Sequence, residues 1–125
     1  MPYKMHGLRS WNINAEDFES AVRFYRDVLG AEETTRHQVA GANVVRLKVG
    51  GTGLGIFDAK EGPRPGVPHH TFDFAGPRDP GAMVRELEAK GIKVENIRMH
   101  GNGPGYSVYV NDPCGNRIEL STDPA

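Results

Sequence analysis

Tyr106-Ser107-Val108-Tyr109-Val110-Asn111-Asp112-Pro113-Cys114-Gly115-Asn116-Arg117-Ile118-Glu119-Leu120 is the stretch whose reading decides the fold. Val108 and Val110 alternate with Ser107 and Tyr109, and Ile118 and Leu120 alternate with Arg117 and Glu119. Two strands are predicted, over Tyr106 to Asn111 and Asn116 to Ser121, with Asp112 to Asn116 as the turn. Neighbours on a strand point to opposite faces, so the aliphatic set faces a core and Glu119 is sent to the other side.

Moving outward, Ile92 to Met99 reads as a third strand, reached from the hairpin through the glycine-rich loop that begins at His100. Before it, Asp79 and Pro80 form a helix cap and first turn, Met83, Val84 and Leu87 supply an inward face, and Gly91 closes the helix. His69 to Phe74 alternates as a strand ahead of that helix. The same order occurs earlier. Residues 3 to 13 read as a strand, Asn14 as a cap, and Phe18, Val22, Tyr25 and Val28 or Leu29 as one face of a helix ended by Gly30. Strands are then expected at Ala31 to Gln38, Ala42 to Val49 and Gly53 to Asp58.

The chain is thus β-α-β-β-β twice, with a repeat of about 60 residues. Module 1 covers about 3–58, a linker about 59–67, and module 2 about 68–121; Pro63, Pro65 and Pro68 stiffen the connection. At 125 residues this is a single domain. The predicted class is α+β, two tandem βαβββ modules forming a curved mixed sheet. Each helix covers one sheet face, and the uncovered faces together make a cleft for a small molecule.

Composition narrows the function. Fifteen basic residues against sixteen acidic ones, with no basic run, argue against nucleic acid or an anionic membrane as partner. No apolar stretch approaches the ~20 residues of a membrane span, and the N-terminus lacks a signal-like apolar segment, so a cytoplasmic protein is expected. The one cysteine, Cys114, excludes an internal disulfide.

Parity selects the residues that reach the cleft. Phe72 and Phe74 go inward, so His69 goes to the cleft; Tyr109 and Glu119 follow by the same rule, as do His6, Leu8, Ser10 and Asn12 opposite Trp11 and Ile13. A histidine and a glutamate converging there fit a divalent metal such as Fe(II), Mn(II) or Zn(II). A third ligand is required. Overlaying Trp11/Ile13 on Phe72/Phe74 puts Leu8 at the His69 position, with His6 on the correct face two residues early; overlaying the last strands puts Gly55 at the Glu119 position.

At this point the chain resembles the vicinal oxygen chelate superfamily of glyoxalases, bleomycin resistance proteins and extradiol dioxygenases. The resemblance rests on Glu19 to Gly30, on His69 and on Tyr109 to Leu120, and spans nearly the whole chain. His100, Val108, Tyr109, Asp112, Pro113, Gly115 and Glu119 fall at the spacing of the extradiol ring-cleavage pattern; only Arg98 departs, standing where that pattern has a small or apolar residue. The resemblance implies metal ligation by His69, Glu119 and a first-strand histidine, for which His6 is the candidate. It further implies catalytic roles for His100 as proton shuttle and Tyr109 as hydrogen-bond donor to a developing oxyanion. The implied enzyme is a metal-dependent one, closest to extradiol dioxygenases, that chelates a substrate through adjacent oxygens, the metal acting as Lewis acid. The alternatives are a metal-free, drug-sequestering binder of the bleomycin-resistance type and a glyoxalase-like lyase or isomerase. A homodimer is the assembly usual for the family.

Overall fold

The computed structural model describes residues 3–64, 66–101 and 103–123; Pro65 of the expected linker and Asn102 of the glycine-rich loop lie outside these. The described chain divides into two compact units, residues 9–69 and residues 3–8 with 70–123. The fold is α+β, and the βαβββ order occurs twice.

In the first unit, β1 (Lys4–Ala15, of which residues 9–15 belong here) pairs in parallel with β4 (Thr52–Asp58). β3 (Ala42–Val49) runs antiparallel between β4 and β2 (Glu32–Val39). Trp11, Ile13, Ala15, Val45, Leu47, Leu54 and Ile56 meet Val22 of α1 (Phe18–Arg23) in one core, as parity predicts. In the second unit β5 (His69–Ala75) is parallel to β8 (Arg117–Thr122), and β7 (Tyr106–Asn111) lies antiparallel between β8 and β6 (Asn96–Met99). There Phe74, Tyr106, Val108, Val110, Ile118 and Leu120 close on Met83 and Leu87 of α2 (Pro80–Ala89). Tyr3 joins this core, its ring edge-on to Phe74 at 5.4 Å and under the Lys90 ammonium at 4.7 Å.

Three local expectations change. The cap of α1 is Asp17, whose carboxylate accepts from the Ser20 amide at 3.2 Å. Asn14 instead ties down the linker, donating to the Val67 carbonyl and accepting from the Arg64 amide, both at 3.0 Å. The segment Phe24–Val28 widens into a π-helical turn, with the Leu29 amide reaching back five residues to Phe24. That extra residue per turn rotates Val28 and Leu29 out to solvent, against the helical spacing expected of them. β6 begins at Asn96 rather than Ile92, because Ile92 and Val94 are already used to pack against the core as the chain leaves α2.

The deciding hairpin forms as read. The Asp112 carboxylate accepts from the amides of Cys114 and Asn116 and from the Asn116 side chain, all at 2.9 Å, while Gly115 takes a φ of 86°. These bonds, led by that of Asn116, hold the Asp112 carboxyl below its usual range.

Candidate functional site

The strand register defines two equivalent constellations, one on the helix-free face of each unit. In the second unit Glu119 of β8 stands opposite Thr71 of β5 and Tyr109 of β7. In the first, Gly55 of β4 stands opposite Asn12 of β1 and Arg46 of β3. Matching Gly55 to Glu119 therefore matches Asn12 to Thr71, and Ser10 to His69. The overlay on aromatic core residues had put Leu8 there. Core residues recur every second position, so a slip of two leaves the pattern unchanged, and only the hydrogen-bonded register fixes the equivalence.

Glu119 is 6% exposed, and its carboxylate is met by polar and charged groups. Its Oε1 accepts from the Thr71 hydroxyl and its Oε2 from Arg98 Nη2, both at 3.1 Å. Arg98 Nε also donates to the Tyr109 hydroxyl at 3.2 Å, and that hydroxyl hydrogen-bonds Glu119. Burial pushes the Tyr109 hydroxyl above its ordinary value despite the adjacent guanidinium, so it stays a neutral donor. Arg98, bonded to Tyr109 and beside Glu119, is held above its ordinary value and remains a cation. The face of the Tyr109 ring carries a second guanidinium, Arg117, at 4.6 Å from the centroid.

In the first unit Arg46 Nη1 donates to Asn12 Oδ1 at 2.8 Å. This fixes the amide, so Asn12 Nδ2 is the donor to His69 Nε2 at 3.0 Å. His69 Nε2 must then be the unprotonated nitrogen, and Nδ1–H donates to the Gly66 carbonyl at 3.0 Å. Gly55 is what makes room for this chain of bonds. A Cβ there would overlap Asn12 Oδ1 and come within 2.5 Å of Arg46 Nη1.

His100 forms a third group, on the same face of the second unit as Glu119. Its Nδ1 lies 2.7 Å from Asp123 Oδ1 and its Nε2 2.9 Å from Ser107 Oγ. Gly105 clears the space, since a Cβ would overlap both the Asp123 carboxylate and His100 Nδ1. His6, exposed, lines a cavity of about 560 Å³ with Asp73, Ser121 and Asp123.

The structure thus joins Glu119 with Tyr109, leaves His100 and His6 around Asp123, and puts His69 in the other unit under Asn12. Within its own unit, Glu119 is not presented as an open donor to a divalent ion. Both Glu119 oxygens and both His69 nitrogens are engaged by protein groups, and a guanidinium already sits against the carboxylate. Among the described residues no three His, Cys, Asp or Glu side chains are grouped to hold a metal. Arg98, Thr71, Arg46 and Asp123 escaped the sequence reading, whereas parity had already put Asn12 on the cleft face. Arg98 alone had left a signal, as the one departure from the ring-cleavage pattern.

Residues 7–120 match the family model of the Glyoxalase/Bleomycin resistance protein/Dioxygenase superfamily. Among solved structures, methylmalonyl-CoA epimerase from Mycobacterium tuberculosis is similar over 100% of this chain and 93% of its own, with a TM-score of 0.70 at 19% identity. A superfamily member from Vibrio splendidus is similar over 93% and 99%, with a TM-score of 0.66 at 19% identity. A catechol 2,3-dioxygenase reaches a TM-score of 0.70 at 24% identity over 98% of this chain, which spans 43% of that protein. These likenesses are of fold.

Proposed function

Because the chain belongs to the Glyoxalase/Bleomycin resistance protein/Dioxygenase superfamily, we propose that it binds a small molecule without a metal, in the manner of the drug-sequestering bleomycin-resistance branch. The observation that carries this reading is the Arg98–Glu119 ion pair at 3.1 Å. In the resemblance, the glutamate at this position is a metal ligand. Here its charge is met by a guanidinium from β6, two strands away, and a divalent ion would have to displace that cation or sit beside it. The ligand would lie on the helix-free face, against Arg98, Tyr109 and their neighbours. A cytoplasmic location and a homodimer remain parts of the same proposal, the latter read by light scattering on the purified protein; no helix among the described residues is long and apolar enough to cross a membrane.

One observation favours the dioxygenase-like metalloenzyme as second reading. His69 is held with Nδ1–H on a backbone carbonyl and an unprotonated Nε2 that accepts from Asn12, the tautomer in which proteins present histidine to a metal. Metal analysis of protein purified without added metal, followed by calorimetric titration with Fe(II), Mn(II) and Zn(II), separates the two. No bound ion and no saturable uptake is expected. A stoichiometric ion that disappears in Glu119→Gln sinks the metal-free reading and restores Glu119 as a ligand.

A further inference from the structure

We propose that the outward side of the Arg98–Tyr109–Glu119 cluster, with Arg117, is an anion subsite that selects a small organic carboxylate; this rests on the metal-free reading of the same site. Charge is the first reason. Two guanidiniums, those of Arg98 and Arg117, bracket one tyrosine, and one carboxylate, that of Glu119, accompanies them. The cluster therefore carries one positive charge in excess. A bound monoanion would balance it.

Exposure is the second reason. In the ion pair the Arg98 side chain is 56% exposed and the Glu119 side chain 7%. The carboxylate lies beneath and the guanidinium is what an arriving molecule meets. Arg98 uses Nε for Tyr109 and Nη2 for Glu119, so its Nη1 edge is left to a ligand. A carboxylate presents a planar pair of oxygens that matches a guanidinium edge, and unlike phosphate it brings the single charge that the cluster lacks.

Arg117 supplies an independent observation. Its Nε is buried and has no hydrogen-bond partner among the described residues, while its guanidinium is stacked on Tyr109. Arginines drawn out of water are ordinarily matched by acceptors. Here the cation is partly desolvated, and among the described residues no carboxylate is paired with it. Because the charge is delocalised over the planar group, an anion beside the guanidinium offsets the cost of its partial burial.

The test is a titration of uniformly ¹⁵N-labelled protein, following the arginine side-chain Nε–H resonances, assigned with Arg98→Gln and Arg117→Gln. Benzoate is the probe, with benzamide as its neutral isostere and inorganic phosphate as the competing anion. Benzoate is expected to shift the Arg98 and Arg117 signals saturably and benzamide to leave them in place. Each glutamine variant should weaken benzoate about tenfold or more, as loss of a charge-assisted contact does, while the backbone amide spectrum shows that it remains folded. Absence of a saturable shift, an equal response to benzamide, or tighter binding of phosphate than benzoate overturns the proposal. Metal analysis is read separately. A metal-free protein that takes benzamide as well as benzoate loses the anion subsite and keeps the metal-free reading.

Discussion

Replacing Gly55 by alanine adds one methyl group at the point where the first unit's polar chain is tightest. That methyl would overlap Asn12 Oδ1 and lie 2.5 Å from Arg46 Nη1, so both side chains must shift, and the Arg46–Asn12 bond of 2.8 Å is expected to break. Asn12 is 2% exposed and would be left with a buried carbonyl oxygen short of its donor. A hydrogen bond to a charged group contributes about 1.5–3 kcal/mol, and the neutral Asn12–His69 bond, once its amide is free to turn, about 1 kcal/mol more. Alanine in a strand recovers roughly 0.5–1 kcal/mol over glycine. The net expectation is a loss of about 2–3 kcal/mol, or on the order of 10 °C in Tm for a domain of this size. Urea and thermal unfolding of Gly55→Ala measure it, with Gly51→Ala as control, since a Cβ at Gly51 meets nothing within 4 Å. The His69 ring signals should move in the first variant only. If Gly55→Ala unfolds within about 0.5 kcal/mol of the parent, the usual range for an inconsequential substitution, then the glycine is not there to admit the Arg46–Asn12–His69 chain and the reasoning fails.

Two further outcomes are expected. A double-mutant cycle of Arg98→Met and Glu119→Gln, read by urea unfolding, should give a coupling of about 1–2 kcal/mol: a charge-assisted bond, reduced because Arg98 is more than half exposed. A coupling near zero removes Arg98 as the partner of Glu119. The Tyr106 hydroxyl, which donates to the Pro77 carbonyl, is pushed up to about 12, first by burial and then by Glu86. Its folded value lies above the unfolded ~10, so its contribution is complete below about pH 10 and is lost as pH rises towards 12. Stability should therefore fall across that window, and Tyr106→Phe should flatten part of the fall; an unchanged slope contradicts this assignment.

The fold was legible because the apolar alternation is strong where it matters. Val108/Val110, Ile118/Leu120 and Trp11/Ile13 all pack on the side that parity assigns them. Helix details were less legible, since Asn14 and Asp17 are equally good caps on paper and nothing in Phe24 to Val28 announces a widened turn. For the site, parity put Tyr109, Glu119 and Ser107 on one face, and that face is where they lie. Their partners were hidden for a physical reason. Arg98 reaches Glu119 across two strand pairings and Asp123 reaches His100 from 23 positions away, and such contacts depend on rotamers rather than spacing. The equivalence of Ser10 and His69 was missed because a period-two pattern cannot report a slip of two.

β1 changes allegiance at Leu8, its first residues being counted with the second unit and the rest with the first. The boundary between the two units therefore does not coincide with the boundary of the sequence repeat. A fragment cut at the linker and starting near His70 would leave behind Tyr3, whose ring meets Phe74 and Lys90. The opposite fragment would carry residues 3–8 as an orphaned tail. Anyone wishing to divide this protein for reassembly, or to reorder its ends, must cut after Leu8 and not only at the linker. The sequence repeats at the linker, but the folded units divide within the first strand.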